Sequence, residues 1–90
     1  MPTYDVEAIR GDFPALTQQI NGKPLVYLDN AASTQKAQPV LDALASCYER
    51  DYSNSHRGVH QLSVRATNAY EKARLSVQAF IGAERSEEVI

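Results

Sequence analysis

The densest group of reactive side chains is Ser55-His56-Arg57-Gly58-Val59-His60, where a cation, two imidazoles and a flexible glycine fall together. Histidines four residues apart would face one way on a helix and could share a metal. Here Gly58 lies between them and no His-Glu-x-x-His pattern surrounds them. The simpler chemistry is polar, with His56 beside a ligand and His60 near a helix start. A second stretch, Asp29-Asn30-Ala31-Ala32-Ser33-Thr34, follows an apolar run and has side chains small enough for backbone N–H groups to approach a ligand. For both stretches a solvated turn is the competing reading.

The remaining reactive types are few. Cys47 is the single cysteine and falls on an apolar stripe with Leu44 and Tyr48, so it is expected to pack as a small hydrophobe rather than act as a nucleophile. It has no partner for an internal disulfide. A Schiff-base lysine needs a desolvated pocket, whereas Lys23, Lys36 and Lys72 lie in polar sequence. Gly11, Gly22, Gly58 and Gly82 are isolated, so no glycine-rich phosphate cradle is encoded.

The elements that would position these groups follow from spacing. Val6, Ile9 and Phe13 predict a helix over 3–13 with Thr3 as N-cap and Pro14 as its stop. Gln18-Gln19-Ile20 and Leu25-Val26-Tyr27-Leu28 read as antiparallel strands around Asn21-Gly22, with Lys23-Pro24 lengthening the loop and Pro24 opening the second strand. The loop 29–38 ends at Pro39, the expected first residue of a helix running to Asp51 on the stripe Val40, Leu41, Leu44, Cys47 and Tyr48. After a connection over 53–59, Leu62, Ala66, Ala69, Tyr70, Ala73, Val77, Phe80 and Ile81 predict a helix of about 20 residues closed by Gly82. Val89-Ile90, after a polar connector, reads as the start of a truncated strand.

Composition narrows the classes. A chain of 90 residues buries roughly 60 to 65% of its unfolded surface, which allows one small domain. Hydrophobic residues make up 43% and charged residues 22%, the balance of a soluble globular segment. A net charge of −2 offers no basic field for nucleic acid or an anionic membrane surface. The start of the chain lacks the apolar core of a secretory signal, and the longest apolar run, Leu25 to Leu28, is far short of the roughly 18 residues of a membrane span. The expected location is cytoplasmic, with neither nucleic acid nor membrane as partner.

Several separate motifs in order carry a resemblance to a known family: Ile9-Arg10-x-Asp12-Phe13-Pro14-x-Leu16, then Asn21-Gly22-x-Pro24-Leu25-x-Tyr27-Leu28-Asp29-Asn30-Ala31-Ala32-Ser33, then His56-Arg57-Gly58-Val59-His60-x-Leu62-Ser63. With Phe80-Ile81-Gly82-Ala83 and Ser86-x-Glu88, the chain resembles the N-terminal segment of group II, Suf-type cysteine desulfurases of the class V aminotransferase-like superfamily.

The resemblance implies an α/β parent of fold-type I, of which residues 1–90 alone would be an α+β fragment of three helices and a short β-hairpin. Residues 1–38 would supply the first helix, the hairpin and a substrate-side loop, and 39–90 two helices and the start of a strand. It further implies a homodimer that uses pyridoxal 5'-phosphate to convert L-cysteine to L-alanine and an enzyme persulfide. A sulfur-acceptor protein would take that sulfur toward iron-sulfur clusters. Ala31 and Ala32 would lie on the substrate side of the cofactor, and His56 and Arg57 at the active-site entrance or against the partner subunit. The Schiff-base lysine and nucleophilic cysteine would lie beyond residue 90, so the fragment is expected to bind no cofactor and to be inactive alone. A selenocysteine lyase of the same superfamily and a stand-alone adapter that binds a desulfurase or its sulfur acceptor are the rival readings.

Overall fold

A computed structural model describes residues 3–56 and 58–90. They form three helices and one two-stranded antiparallel sheet, the mixed composition expected of the fragment. Two compact units divide the chain, Met1–Leu44 and Ala45–Ile90.

In the first unit, helix α1 spans Val6–Gly11. Its N-cap is Asp5, whose carboxylate accepts from the Ala8 N–H at 3.0 Å, so the helix starts later than the expected Thr3 cap. Asp5 wins because it satisfies an orphan first-turn N–H while its negative charge meets the positive end of the helix. The helix closes at Gly11 with Asp12 as its C-cap, two residues short of the expected end at Phe13, and Pro14 opens a 3-10 turn, Pro14–Thr17.

The hairpin is tighter than its sequence suggests. Strand β1, Gln19–Ile20, pairs with β2, Lys23–Pro24, in the register Gln19 opposite Pro24 and Ile20 opposite Lys23. The turn is Asn21-Gly22 alone, with φ of 54° and 75°, the paired left-handed geometry whose twist matches antiparallel strands. Lys23 and Pro24 are therefore the second strand, not an extension of the loop. The expected strand over Leu25–Leu28 does not form. After one more backbone bond, Leu25 N–H to Gln18 C=O at 3.0 Å, the Leu25 carbonyl is taken by the Arg10 guanidinium at 3.0 Å. The same Arg10 nitrogen donates to the Leu16 carbonyl at 3.1 Å. A side chain thus ends the ladder by occupying its next acceptor.

Helix α2, Gln38–Ser46, opens one residue before Pro39, and the Gln38 N–H donates to the Asp12 carbonyl at 2.7 Å. It runs on as a π-helical turn, Cys47–Asp51. Arg65 of the last helix closes that turn, donating to the Arg50 carbonyl at 2.8 Å and pairing with Asp51 at 2.8 Å, so an orphan C-terminal acceptor is satisfied. Cys47 is exposed rather than packed. Its stripe is uncovered, with Leu44 and Tyr48 also exposed, and among the described residues no apolar side chain is buried.

Helix α3, Gln61–Ile81, dominates the second unit and ends as its sequence predicts. Gly82 takes φ 71°, which lets the Ala83 N–H reach the Gln78 carbonyl at 3.0 Å and cap the helix. Phe80 and Ile81 on its last turn remain exposed. A 3-10 turn, Ser86–Glu88, leads to Val89, which is extended without a strand partner among the described residues. No described helix is long and apolar enough to cross a membrane.

Candidate functional site

In the second unit Asn54, His56 and Gly58 lie along the first three turns of α3, pinned by a polar stripe. Ser63, Thr67 and Glu71 recur every four residues and so share one face of the helix. Ser63 is fully buried. Its hydroxyl donates to the Asn54 carbonyl at 2.6 Å and accepts from the Gly58 N–H at 3.0 Å. Thr67 Oγ1 accepts from the His56 N–H at 2.7 Å.

His56 carries φ 65°, a left-handed conformation that costs a side-chain-bearing residue about 1–3 kcal/mol and persists only where neighbours enforce it. Three neighbours do. Thr67 holds its backbone, the ring packs T-shaped with Tyr70 (centroids 5.3 Å apart, planes at 88°), and Nε2 lies 2.7 Å from Glu71 Oε1. The hydrogen bond from His56 holds the Glu71 carboxyl below its ordinary value, and the nearby Arg74 charge acts in the same direction. Glu71 is thus a carboxylate at neutral pH and can only accept. The Nε2 of His56 must carry the proton in this pair, which leaves Nδ1 as the acceptor of the neutral ring.

The network continues along the helix. Arg74 Nε donates to Glu71 Oε2 at 3.3 Å, its guanidinium lies 5.3 Å from the Tyr70 ring centre, and it also donates to the Val89 carbonyl. His60 serves structure instead. Its Nδ1 accepts from the Ser63 N–H at 3.2 Å as the N-cap of α3, and its Nε2 lies 3.3 Å from Ser53 Oγ. Its two ring nitrogens are therefore engaged by the fold. Arg57, the cation singled out by the sequence, lies outside the described residues.

The other candidate loop belongs to the first unit. Ala31 and Ala32 occupy an exposed turn in which two donors are already used: the N–H groups of Ala32 and Ser33 both reach the Asp29 carbonyl, at 3.1 and 3.0 Å. The Asn30 side chain accepts from the Gln35 N–H at 3.0 Å, and the Tyr27 hydroxyl donates to the Ser33 carbonyl at 2.6 Å. The loop is held largely by its own hydrogen bonds and presents the methyl groups of Ala31 and Ala32, with the N–H groups of Ala32 and Ser33 turned to Asp29. Lys23, Lys36 and Lys72 are all exposed, and Lys36 Nζ donates to the Thr34 carbonyl at 2.7 Å. None has the dry surroundings that would make it a neutral amine, so these residues do not themselves fit a carbonyl cofactor.

Residues 26–90 match the model of the family described as aminotransferase class-V. The chain belongs to that family. Among curated class V relatives, the chain is 51% identical over 87 residues to a probable cysteine desulfurase 1 of Mycobacterium leprae, covering 97% of this chain and 14% of the relative. It is 57% identical over 82 residues to a probable cysteine desulfurase of Synechocystis, covering 91% and 20%. A cysteine desulfurase of Pectobacterium carotovorum is 48% identical over 88 residues, covering 98% and 22%. This class V chain thus spans about a seventh to a fifth of the length of these relatives.

The polar stripe Ser63, Thr67, Glu71 was not recognised from sequence. Its signal was there, since polar residues four apart on a helix directly after a glycine-bearing loop are placed to hold that loop.

Proposed function

We infer that these residues are the N-terminal segment of a pyridoxal-phosphate-dependent cysteine desulfurase, a transferase that takes the sulfur of L-cysteine as an enzyme persulfide and releases L-alanine. The observation that carries the reading is identity of about half to proteins named cysteine desulfurase, sustained over nearly the whole chain. The parent enzyme is a cytoplasmic homodimer that passes sulfur to an acceptor protein for iron-sulfur cluster assembly. The cofactor, when bound, acts as the electron sink for the substrate, and the residues that hold it belong to other parts of the parent.

Within this reading residues 1–38 supply the first helix, the hairpin and the substrate-side loop, and 39–90 two helices and the start of a strand at Val89-Ile90. Ala31 and Ala32 leave room for bound L-cysteine, and His56 and Arg57 serve the active-site entrance or the partner subunit. The uncovered stripes on α2 and α3 support the assignment, because apolar faces of this extent call for a packing partner.

The assignment is tested by Arg57→Ala in the full-length, cofactor-loaded protein. Alanine formation from L-cysteine is expected to fall about tenfold or more, the scale of a lost charged contact to substrate or neighbouring subunit, while the cofactor absorbance stays bound. A full-length protein that makes no alanine from L-cysteine overturns the reading, and loss of cofactor on the substitution overturns the role of Arg57.

A further inference from the structure

Three features of the second unit converge on one side chain. The His56 backbone is held in the left-handed region by Thr67. Its ring is fixed at Nε2 by Glu71 and by T-shaped packing with Tyr70. Glu71 is in turn oriented through its second oxygen by Arg74, which also binds the Val89 carbonyl and lies against Tyr70. Both carboxylate oxygens are thereby engaged, one by an imidazole and one by a guanidinium. Pairs as exposed as these add little stability, so what the arrangement supplies is orientation.

We propose that Glu71 is a positioning residue for His56: its carboxylate, set by Arg74, locks the imidazole in the Nε2–H tautomer and in one ring setting, so that Nδ1 is the atom offered to a ligand's hydrogen-bond donor. The proposal rests on the reading that His56 serves the active-site entrance of the parent desulfurase. A ring that donates through Nε2 to a carboxylate has Nδ1 as its lone-pair nitrogen, and the other tautomer would turn an acceptor into a donor at the same place. The ligand chemistry selected is a group bearing an N–H or O–H, such as the ammonium of an amino acid or a side chain of the neighbouring subunit. Arg74 extends the device to the chain after α3, because the residue that orients Glu71 also holds Val89.

The experiment uses the full-length, cofactor-loaded protein with histidine labelled in nitrogen-15, and compares wild type with Glu71→Ala, Glu71→Gln, His56→Ala and the double variant His56→Ala with Glu71→Ala. Side-chain nitrogen–proton correlation spectra taken above the titration range of the ring show which nitrogen of His56 carries the proton. The expected wild-type ring is Nε2–H, and an Nδ1–H ring overturns the proposal without reference to any variant. In Glu71→Ala the tautomer preference is expected to be lost and kcat/KM for L-cysteine to fall about tenfold, the scale of a misplaced group near a reacting centre. Glu71→Gln keeps an acceptor oxygen at the same position and should retain the Nε2–H form and most of the activity. His56→Ala should match Glu71→Ala, and the double variant should be no worse than either. If His56→Ala lowers kcat/KM and Glu71→Ala does not, Glu71 has no positioning role although the loop does serve the site. If His56→Ala changes nothing, the reading of the loop itself fails.

Discussion

The Gly58→Ala substitution in the full-length protein is expected to destabilise the second unit by about 1–3 kcal/mol, the range for forcing an extra methyl into a filled space. A Cβ at this position would lie 2.6 Å from both Cβ and Oγ of Ser63 and 3.1 Å from His60 Nε2. Real Cβ contacts do not come that close, so something must shift, and the neighbour is poorly able to do so. Ser63 is fully buried, its hydroxyl is engaged by Asn54 and by Gly58 itself, and its N–H is held by His60. Moving Ser63 would break the N-cap of α3, and moving the loop would break the bonds that seat His56 on Thr67 and Glu71. The constraint is steric, since the requirement at Gly58 is close approach of loop to helix. Thermal unfolding together with hydrogen exchange across 54–60 checks this. The melting temperature should drop and the loop amides should exchange faster. Ser63→Gly in the same background should recover part of the loss by reopening the space, a coupling that independent sites would not show. A Gly58→Ala protein that melts like wild type and protects its loop equally well would show that the close packing is absent.

The second large effect concerns catalysis by these 90 residues alone. Supplied with L-cysteine and pyridoxal phosphate, the chain is expected to release no alanine above a buffer blank, whereas the full-length protein turns over. The three lysines are exposed, without the desolvated pocket that a Schiff-base lysine needs. Cys47 is exposed on the π-helical turn, beside Tyr48 and Tyr52, whose rings pack 5.2 Å apart, and among the described residues no hydrogen bond or ion pair engages its thiol. Chromatographic measurement of alanine decides the matter. Turnover by the isolated chain at the rate of the whole protein would mean that the catalytic groups lie within residues 1–90.

How much was legible before the fold depended on whether a residue's partner was local. The long helix was plain because its apolar spacing and the terminating Gly82 are both properties of neighbouring residues. The Asn21-Gly22 turn was plain for the same reason. Arg10 shows the opposite case. Its guanidinium captures the Leu25 carbonyl, fifteen residues away, and so ends a strand that the apolar run 25–28 would otherwise predict. At the start of α1, Thr3 and Asp5 are both good caps, and spacing alone does not choose between them.

The candidate site divides along the same line. His56 stood out by type, but Glu71 and Thr67 looked like an ordinary solvated helix face until the path of the loop brought His56 onto them. The loop at Ala31 and Ala32 was located correctly as a turn, yet its small side chains gave no sign that Asp29 takes the N–H groups of Ala32 and Ser33. Cys47 was expected to be buried because it shares a stripe with Leu44 and Tyr48. A stripe records which face is apolar, and it does not record what covers that face.

The claim that matters most is that these residues work as the opening segment of a much longer desulfurase. It is tested by the mass of the native gene product, read by immunoblotting a lysate of the source cells with an antibody raised to this chain. A band several times the 10.0 kDa of the chain is the expected result, in keeping with relatives of which it spans 13–22%. A single band at 10 kDa would contradict the account and show that the cell makes these residues as a protein in their own right.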